Sequence, residues 1–405
     1  MQSLNTIIVG AGARSIAFCK YIKNNPDITC LSAVVDTNLE KAQALINHFD
    51  INCLVTADLD LALTKADVLL IATPDFAHVQ PTITAIKAGK HVYIEKPLAT
   101  TVEDCNLIIN AAKNCNTVCY LGFNMRHSAI HERIHELVHS GALGKVTTIE
   151  ANEWYYGGRT YFRRWNRLRK FGGGLWLTKA CHDFDLLMWI AGQKPVSIYA
   201  NSGLSHYKKK TGVGPRCRDC VLKSSCHDYY DINKPIEHWF DEAWRKLQLK
   251  MDQSGSMSPD ICLYNSDKDT FDNGIAVIEF ENDIRATYTV NVLSAKTTRQ
   301  IRVIGTDAVV EGATESGLIT LTERHSCRKT LIDVNNANSG THNGADQKIL
   351  TDFFTICRNG GNPRSSLIDG KMAVQLSLAA TLSDDEKRVV TFDDLKVLSK
   401  FEAQL

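Results

Sequence analysis

Short apolar runs alternate with segments of helical period through the first 123 residues. Residues 6–9, 30–35, 51–55, 67–72, 91–94 and 117–121 are β-rich and read as buried strands. Between them, Ile16, Phe18, Cys19 and Ile22 mark one amphipathic helix, and further helices are predicted near 39–49 and 59–65. Pro74-Asp75-Phe76-Ala77-His78 opens the next helix, which stops at Gly89, and Thr100-Thr101-Val102-Glu103 reads as a capping box for a helix through Lys113. Such regular alternation implies a six-stranded parallel sheet with helices on both faces.

Beyond residue 123 the rhythm changes. Ile130, Ile134, Leu137 and Val138 recur at helical spacing up to Gly141, and residues 145–155 alternate like a strand. Gly172-Gly173-Gly174 then breaks the chain ahead of one predicted helix over 175–190. Residues 272–280 and 284–292 read as a hairpin, and 299–304, 308–311, 318–322 and 330–334 continue an antiparallel set. Ile349, Leu350, Phe353 and Phe354 mark a helix, and 372–382 a final one. The expected fold is α/β: a doubly wound parallel sheet in residues 1–123 and a C-terminal α/β domain in 124–405. The second domain would hold a large, mostly antiparallel sheet with one face free for a subunit partner.

Composition narrows the class. The 405 residues are 44% hydrophobic and 22% charged with a formal net charge of +1, which argues against nucleic-acid or membrane-surface partners. No apolar run approaches the ~20 residues of a membrane span. The first residues lead into a strand with no basic segment or cleavage site, so a cytoplasmic protein is expected. Thirteen cysteines in such a chain suggest reduced thiols and a metal rather than a disulfide framework.

The chemistry begins at Gly10-Ala11-Gly12-Ala13-Arg14-Ser15, between the first strand and its helix. Gly10 permits the turn, and Gly12 lets backbone N–H groups approach a pyrophosphate at the helix N-terminus. Ser15 stands where the fingerprint has its third glycine. Asp36 ends the second strand at the interval where an acidic residue bonds the ribose 2′-OH. Its charge would repel a 2′-phosphate and favours NAD, whereas Arg14 keeps NADP open. Lys96 follows the strand 91–94, and ligands of open α/β sheets sit outside the carboxyl ends of strands.

The glycine turn, Thr73-Pro74-x-x-x-His78, Glu95-Lys96-Pro97 and Gly122-Phe123-Asn124-Met125-Arg126 together resemble the Gfo/Idh/MocA family over most of the chain. The resemblance implies a Rossmann domain, a C-terminal domain whose sheet builds dimers or tetramers, and hydride chemistry on a sugar or cyclitol. It makes Gly10, Gly12, Ala13, Arg14, Ser15 and Asp36 candidate cofactor contacts, together with Thr73, Pro74, His78, Glu95, Lys96 and Asn124. It also places Lys96 beside the nicotinamide and His182 near the substrate.

Thr178 and His182 stand four apart, and Lys179, His182 and Asp185 follow at steps of three, which puts them on shared faces of the predicted helix. Many relatives carry an Asp at the position of Thr178, and Thr takes no proton at neutral pH. The expected proton-transfer groups are therefore Lys96 and His182, since an imidazole's ordinary pKa of about 6.5 suits proton exchange. Lys179 would hold a second hydroxyl or a carboxylate. Candidate substrate contacts are Arg126, Asp185, His342 and the aromatic, guanidinium-rich loop with Tyr155, Arg159, Arg163 and Trp165. For Asp346, beside His342, a helix cap is the competing reading.

Between residues 205 and 265 a Cys-rich insertion carries Cys217, Cys220, Cys226 and Cys262, with His227 as an alternative fourth ligand. A Cys-x-x-Cys knuckle with further thiolates fits structural zinc. Reduced, unligated cysteines, a redox pair and an iron–sulfur cluster are the competing readings. Three functions fit the whole: an NAD-dependent sugar or cyclitol oxidoreductase, a redox-neutral NAD-dependent glycosidase, or a non-catalytic sensor.

Overall fold

The computed structural model describes residues 3–234, 238–252, 257–335, 344–392 and 394, apart from the side chain of Arg159. Its first sheet consists of β1 (Leu4–Val9), β2 (Thr29–Val35), β3 (Leu54–Thr56), β4 (Val68–Ile71), β5 (His91–Ile94) and β6 (Cys119–Leu121). All neighbours are parallel, in the order β3-β2-β1-β4-β5-β6. The order reverses between β1 and β4, and a crevice opens outside the carboxyl ends of the strands at such a switch point. Central strands buried on both faces need continuous apolar runs, and Val68–Ile71 is buried at every position.

The second sheet has nine strands: β7 (Val146–Trp154), β8 (Pro195–Gly203), β9 (Asn273–Phe280), β10 (Arg285–Asn291), β11 (Thr298–Gly305), β12 (Ala308–Ala313), β13 (Leu318–Glu323), β14 (Lys329–Asp333) and β15 (Val390–Thr391). Only β7 and β10 pair in parallel; the other pairings are antiparallel. Helices Cys181–Ala191 and Leu367–Glu386 pack on one face. On the other, Ile275 and Val277 of β9 alternate outward, 54% and 49% exposed, while Ala276 and Ile278 point into the core. β8 and β15 are additions to the expected set. β8 does carry an alternating pattern, with Ile198 and Ala200 inward, but it opens on Pro195, which only a strand's first residue or an edge tolerates.

Three local expectations are corrected. The helix over 175–190 is two: Leu175–Thr178 and Cys181–Ala191, with Lys179 and Ala180 between. The cap of helix Val102–Ala112 is Thr101, whose side chain accepts from the Asp104 N–H, one residue later than expected. Asp346 does not cap helix Ala345–Asn359; Gly344 is the N-cap, and Asp346 lies in the first turn. That helix packs Ile349, Phe353 and Phe354 into the core beside the first sheet, with Phe354 stacked on Tyr21 at 5.7 Å between ring centroids.

Arg126 and Asp185, expected to touch substrate, are paired with each other. Arg126 donates to both Asp185 oxygens at 2.9 and 2.6 Å and to the Arg364 carbonyl at 2.8 Å. Both side chains are buried, 5% and 1% exposed, because a charge can be desolvated only when paired and fully bonded. Removing one partner strands the other. Arg126→Met should cost about 3–5 kcal/mol of unfolding free energy, read as a lower urea midpoint. A wild-type midpoint with a raised KM would instead return Arg126 to the substrate site.

Among the described residues, no helix is long and apolar enough to cross a membrane.

Candidate active site

At the dinucleotide end, Gly10 has φ +97°, and a Cβ there would lie 2.7 Å from the Ala72 carbonyl oxygen. Glycine is thus what lets the tips of β1 and β4 come together. Gly12 N–H donates to Ser15 Oγ at 3.2 Å, and the Ser15 hydroxyl donates to the Gly10 carbonyl. Ser15 therefore clamps the loop as well as fitting it. Helix Ala13–Asn24 starts here with Gly12 as N-cap, its free N–H groups presenting an anion site at the cleft. Asp36 accepts from Ala11 N–H at 2.6 Å and Asn38 N–H at 2.8 Å, with the Lys41 ammonium 3.2 Å away. These bonds hold its carboxylate at the tip of β2. The residues present fit a dinucleotide.

The tips of β5 and β6 are joined by a charge network. Arg14 donates to Glu95 at 2.7 Å and to the two oxygens of Asp346 at 3.1 and 2.9 Å, and Asn124 Nδ2 donates to Asp346 at 2.6 Å. Arg14 borders the cleft, but its guanidinium is committed to two carboxylates. His78 also stands in the wall with a structural task. Its Nδ1 is 2.8 Å from the Pro97 carbonyl and its Nε2 3.1 Å from the Thr73 carbonyl, and burial holds its pKa below the ordinary value.

Lys96 reaches across to the second domain, where its Nζ donates to the Thr178 carbonyl at 2.7 Å. His182, in the first turn of helix Cys181–Ala191, borders the same cleft of about 860 Å³. The Gly10–Arg14 turn, Asp36, Thr73, Pro74, Glu95, Asn124, Tyr155, Arg163, Trp165 and Thr178 line it as well. Most of the residues expected at the site thus border this one cleft.

Lys179 is placed differently from its expectation. Its Nζ pairs with Glu153 at 2.9 Å and lies 4.0 Å over the Tyr155 ring. Glu153 is fully buried and also pairs with Arg299, which pairs with Asp183 at 2.7 Å, and Tyr288 donates to Asp183 at 2.8 Å. Lys179 thus belongs to a balanced cluster of two cations and two anions at the edge of the cleft. Its shared face with His182 and Asp185 is lost to the helix break. Arg163 is partly drawn off too, donating to the Asp228 carbonyl at 2.6 Å and to Cys217 Sγ at 3.5 Å. The Arg159 side chain and His342 lie outside the described residues.

Two features were missed. Asp75 borders the cleft in the turn after β4, and burial pushes its pKa up to about 7, against the pull of Lys96. The signal was its place at a switch-point strand tip. The second is the docking of helix Trp239–Gln248 of the insertion, whose hydrophobic periodicity is visible in the sequence but whose partners are not; it packs Ala243 and Leu247 into the core beside Leu45 and Phe49. Its Phe240, Trp244 and Gln248 border the cleft.

Among the described residues, no three His, Cys, Asp or Glu side chains gather so as to hold a metal ion. The structure does not support zinc at Cys217, Cys220, Cys226 and Cys262. Instead, the Cys217 and Cys220 sulfurs take N–H groups from Arg163 and Gly214, the latter at 3.4 Å.

Comparison with known proteins fits this geometry. Residues 4–123 match the family model described as oxidoreductase family, NAD-binding Rossmann fold, and residues 135–392 match its C-terminal alpha/beta domain. The chain is 28% identical over 324 residues to the oxidoreductase YteT of Bacillus subtilis, 73% of each chain. It is 26% identical over 213 residues to levoglucosan dehydrogenase of Pseudarthrobacter phenanthrenivorans, 48% of this chain and 52% of the relative. It is 25% identical over 207 residues to 2,7-anhydro-N-acetylneuraminate hydratase of Escherichia coli, 50% of this chain and 54% of the relative. The alignment thus spans about half the length of the last two. The structure of a levoglucosan dehydrogenase with NADH and levoglucosan superposes at a TM-score of 0.74 with 17% identity, over 96% of this chain and 99% of that one. Two matched domains, covering most of its length, show that the chain belongs to the Gfo/Idh/MocA family of NAD(P)-binding oxidoreductases.

Proposed function

We propose that this enzyme moves a hydride between NAD and a secondary alcohol of a sugar or cyclitol. The observation that carries this is the meeting of Lys96, from the tip of β5, and His182, from the second domain, on one cleft that begins at the glycine turn. Relatives named for levoglucosan and for myo-inositol support the substrate class. Asp36 supports NAD over NADP: two backbone N–H groups hold its carboxylate at the tip of β2, where its charge would disfavour a 2′-phosphate, and Arg14 is already paired.

Bound NAD supplies the hydride acceptor. Lys96 and His182 hold the reacting oxygen, and the hydroxyl proton leaves to this pair. Tyr155 and Trp165 offer faces for a sugar ring, and Thr178 a polar contact. The resemblance to oxidoreductases is of family, so the residue roles rest on the geometry.

One feature favours a second reading, the redox-neutral glycosidase. Helix Trp239–Gln248 straps the cofactor end of the cleft to the first domain. Lys20 lies 3.5 Å over the Trp239 ring, and Asn38 Nδ2 donates to the Lys250 carbonyl at 2.9 Å. A cofactor bound beneath this helix would be held between turnovers, as a cycle that regenerates NAD requires.

We also propose that the enzyme is a homodimer or homotetramer through the open face of the second sheet, where Ile275 and Val277 stand exposed. The site is read as cytoplasmic, where a reduced thiol set such as this persists.

Lys96→Met should lower turnover by about 10²–10⁴-fold, the usual scale of acid–base loss, while NAD affinity by calorimetry stays nearly unchanged. Unaltered turnover would remove Lys96 from the chemistry. Purified enzyme supplied with NAD should oxidise a polyol and form NADH in stoichiometric amount. Release of nitrophenol from a nitrophenyl glycoside by enzyme carrying bound NAD, without net NADH, would select the glycosidase. Val277→Glu should dissociate the oligomer in light scattering; an unchanged mass would place the interface elsewhere.

A further inference from the structure

Among the described residues, Arg164 is the one Lys or Arg bordering the cleft whose side chain meets no oxygen acceptor. The others are all engaged. Arg14 is bonded to Glu95 and Asp346, Lys41 to Asp36, Lys96 to the Thr178 carbonyl and Lys179 to Glu153. Arg299 is shared by Glu153 and Asp183, and Arg163 donates to the Asp228 carbonyl. The carboxylates that the insertion brings to the cleft are also taken: Asp228 accepts from the Tyr264 hydroxyl at 2.5 Å, and Asp241 faces His238 at 3.3 Å.

The Arg164 guanidinium lies over the Trp244 ring, 4.9 Å from its centroid. Arg164 is half-buried, and Trp244 is anchored by packing against the core beside the first sheet. An aromatic face holds a guanidinium by its plane and leaves the N–H edge for a partner. A partly desolvated guanidinium with an open edge suits a planar oxyanion, gripped through two parallel hydrogen bonds. The loop around Arg164 reaches the reacting end of the cleft. Its neighbour Trp165 packs against Phe76 at 6.4 Å between ring centroids. A Cβ on Gly172 would lie 3.1 Å from the Trp165 ring and 3.4 Å from Thr178, whose carbonyl receives Lys96. At the dinucleotide end, a pyrophosphate already has the free N–H groups that open helix Ala13–Asn24.

We infer that Arg164, backed by Trp244, receives a carboxylate of the substrate, so that the alcohol oxidised in this cleft belongs to a sugar acid such as a hexuronate in preference to its neutral parent. The inference deepens the hydride-transfer reading and rests on it for where the reacting alcohol lies. One guanidinium carries one charge, which a carboxylate matches and a phosphate dianion exceeds. Arg164 moves neither proton nor hydride; it selects the substrate and fixes its orientation.

Calorimetric titration of NAD-loaded enzyme with D-glucuronate and D-galacturonate, beside D-glucose and D-galactose, reads this without turnover. Wild type should bind at least one acid about 10–100-fold more tightly than its parent, the scale of one charged hydrogen bond, and salt should narrow the margin. Arg164→Gln should unfold close to the wild-type urea midpoint, since no hydrogen bond of the fold is lost, and should erase the margin. Arg164→Lys keeps the charge without the planar fork and should retain part of it. In turnover, Arg164→Gln should raise KM for the acid more than it lowers kcat. A wild type that prefers neither acid overturns the inference, and so does an Arg164→Gln enzyme that keeps the preference. Weaker NAD binding by sugar-free Arg164→Gln would assign the guanidinium to the pyrophosphate and overturn it as well. If the preference depends on Arg164 but wild type forms no NADH from any sugar, the hydride-transfer reading fails and the carboxylate site stands.

Discussion

Arg14 carries one positive charge between two carboxylates, Glu95 beyond the tip of β5 and Asp346 in the first turn of helix Ala345–Asn359. Everything at the dinucleotide end depends on that arrangement. Arg14 itself lies in the first turn of the helix that would receive the pyrophosphate, so the same guanidinium fixes the glycine turn, the β5 tip and, through Asn124, the start of the second domain. A pair of anions around one cation is stable in a partly buried setting only if geometry is tight and other donors share the load. The bidentate contact to Asp346 and the Asn124 amide supply both. Lys96 then bridges the gap by bonding the Thr178 carbonyl, so the two lobes approach with their reactive side chains already on one wall.

The second domain contributes its charges in a different way. Lys179, Glu153, Arg299 and Asp183 form a nearly dry cluster in which the charges cancel, and Arg126 with Asp185 forms another. Neither is suited to bind a substrate, because withdrawing a member leaves an unpaired buried charge. Their effect is rigidity: the helix that carries His182 also carries Asp183 and Asp185, each locked to a different partner. The start of this helix is thus tied to β11 and to the segment after β6 at the positions just after the imidazole of His182.

The sequence pattern conveyed what is local. Glycine at a strand end, an acidic residue closing the second strand and apolar runs of strand length predicted the first sheet and the positions of Gly10, Asp36 and Lys96. What it could not convey were partnerships across the chain. Arg14 and Asp346 are 332 residues apart, and nothing near either announces the other. For that reason Arg14 was read as a possible phosphate contact and Asp346 as a helix cap. Arg126, in a motif resembling the family's, and Asp185, at helical spacing from His182, likewise give no sign in the sequence that they pair with each other. The helix break between Thr178 and Cys181 is harder to see, since Lys179 and Ala180 are good helix formers. The Lys179 side chain at that break pairs with Glu153, a partner 26 residues away that the local pattern does not announce. The cysteine spacing was correct for a zinc knuckle, yet spacing says nothing about whether the distant thiols converge.

The account stands or falls on where the nicotinamide lies. A crystal structure of the enzyme with NAD and a polyol measures this directly. The account predicts the reacting hydroxyl oxygen within hydrogen-bonding reach, roughly 2.6–3.2 Å, of both Lys96 Nζ and a His182 ring nitrogen, with its carbon facing the nicotinamide. A nicotinamide seated away from β5, or a hydroxyl reached by neither side chain, would contradict it.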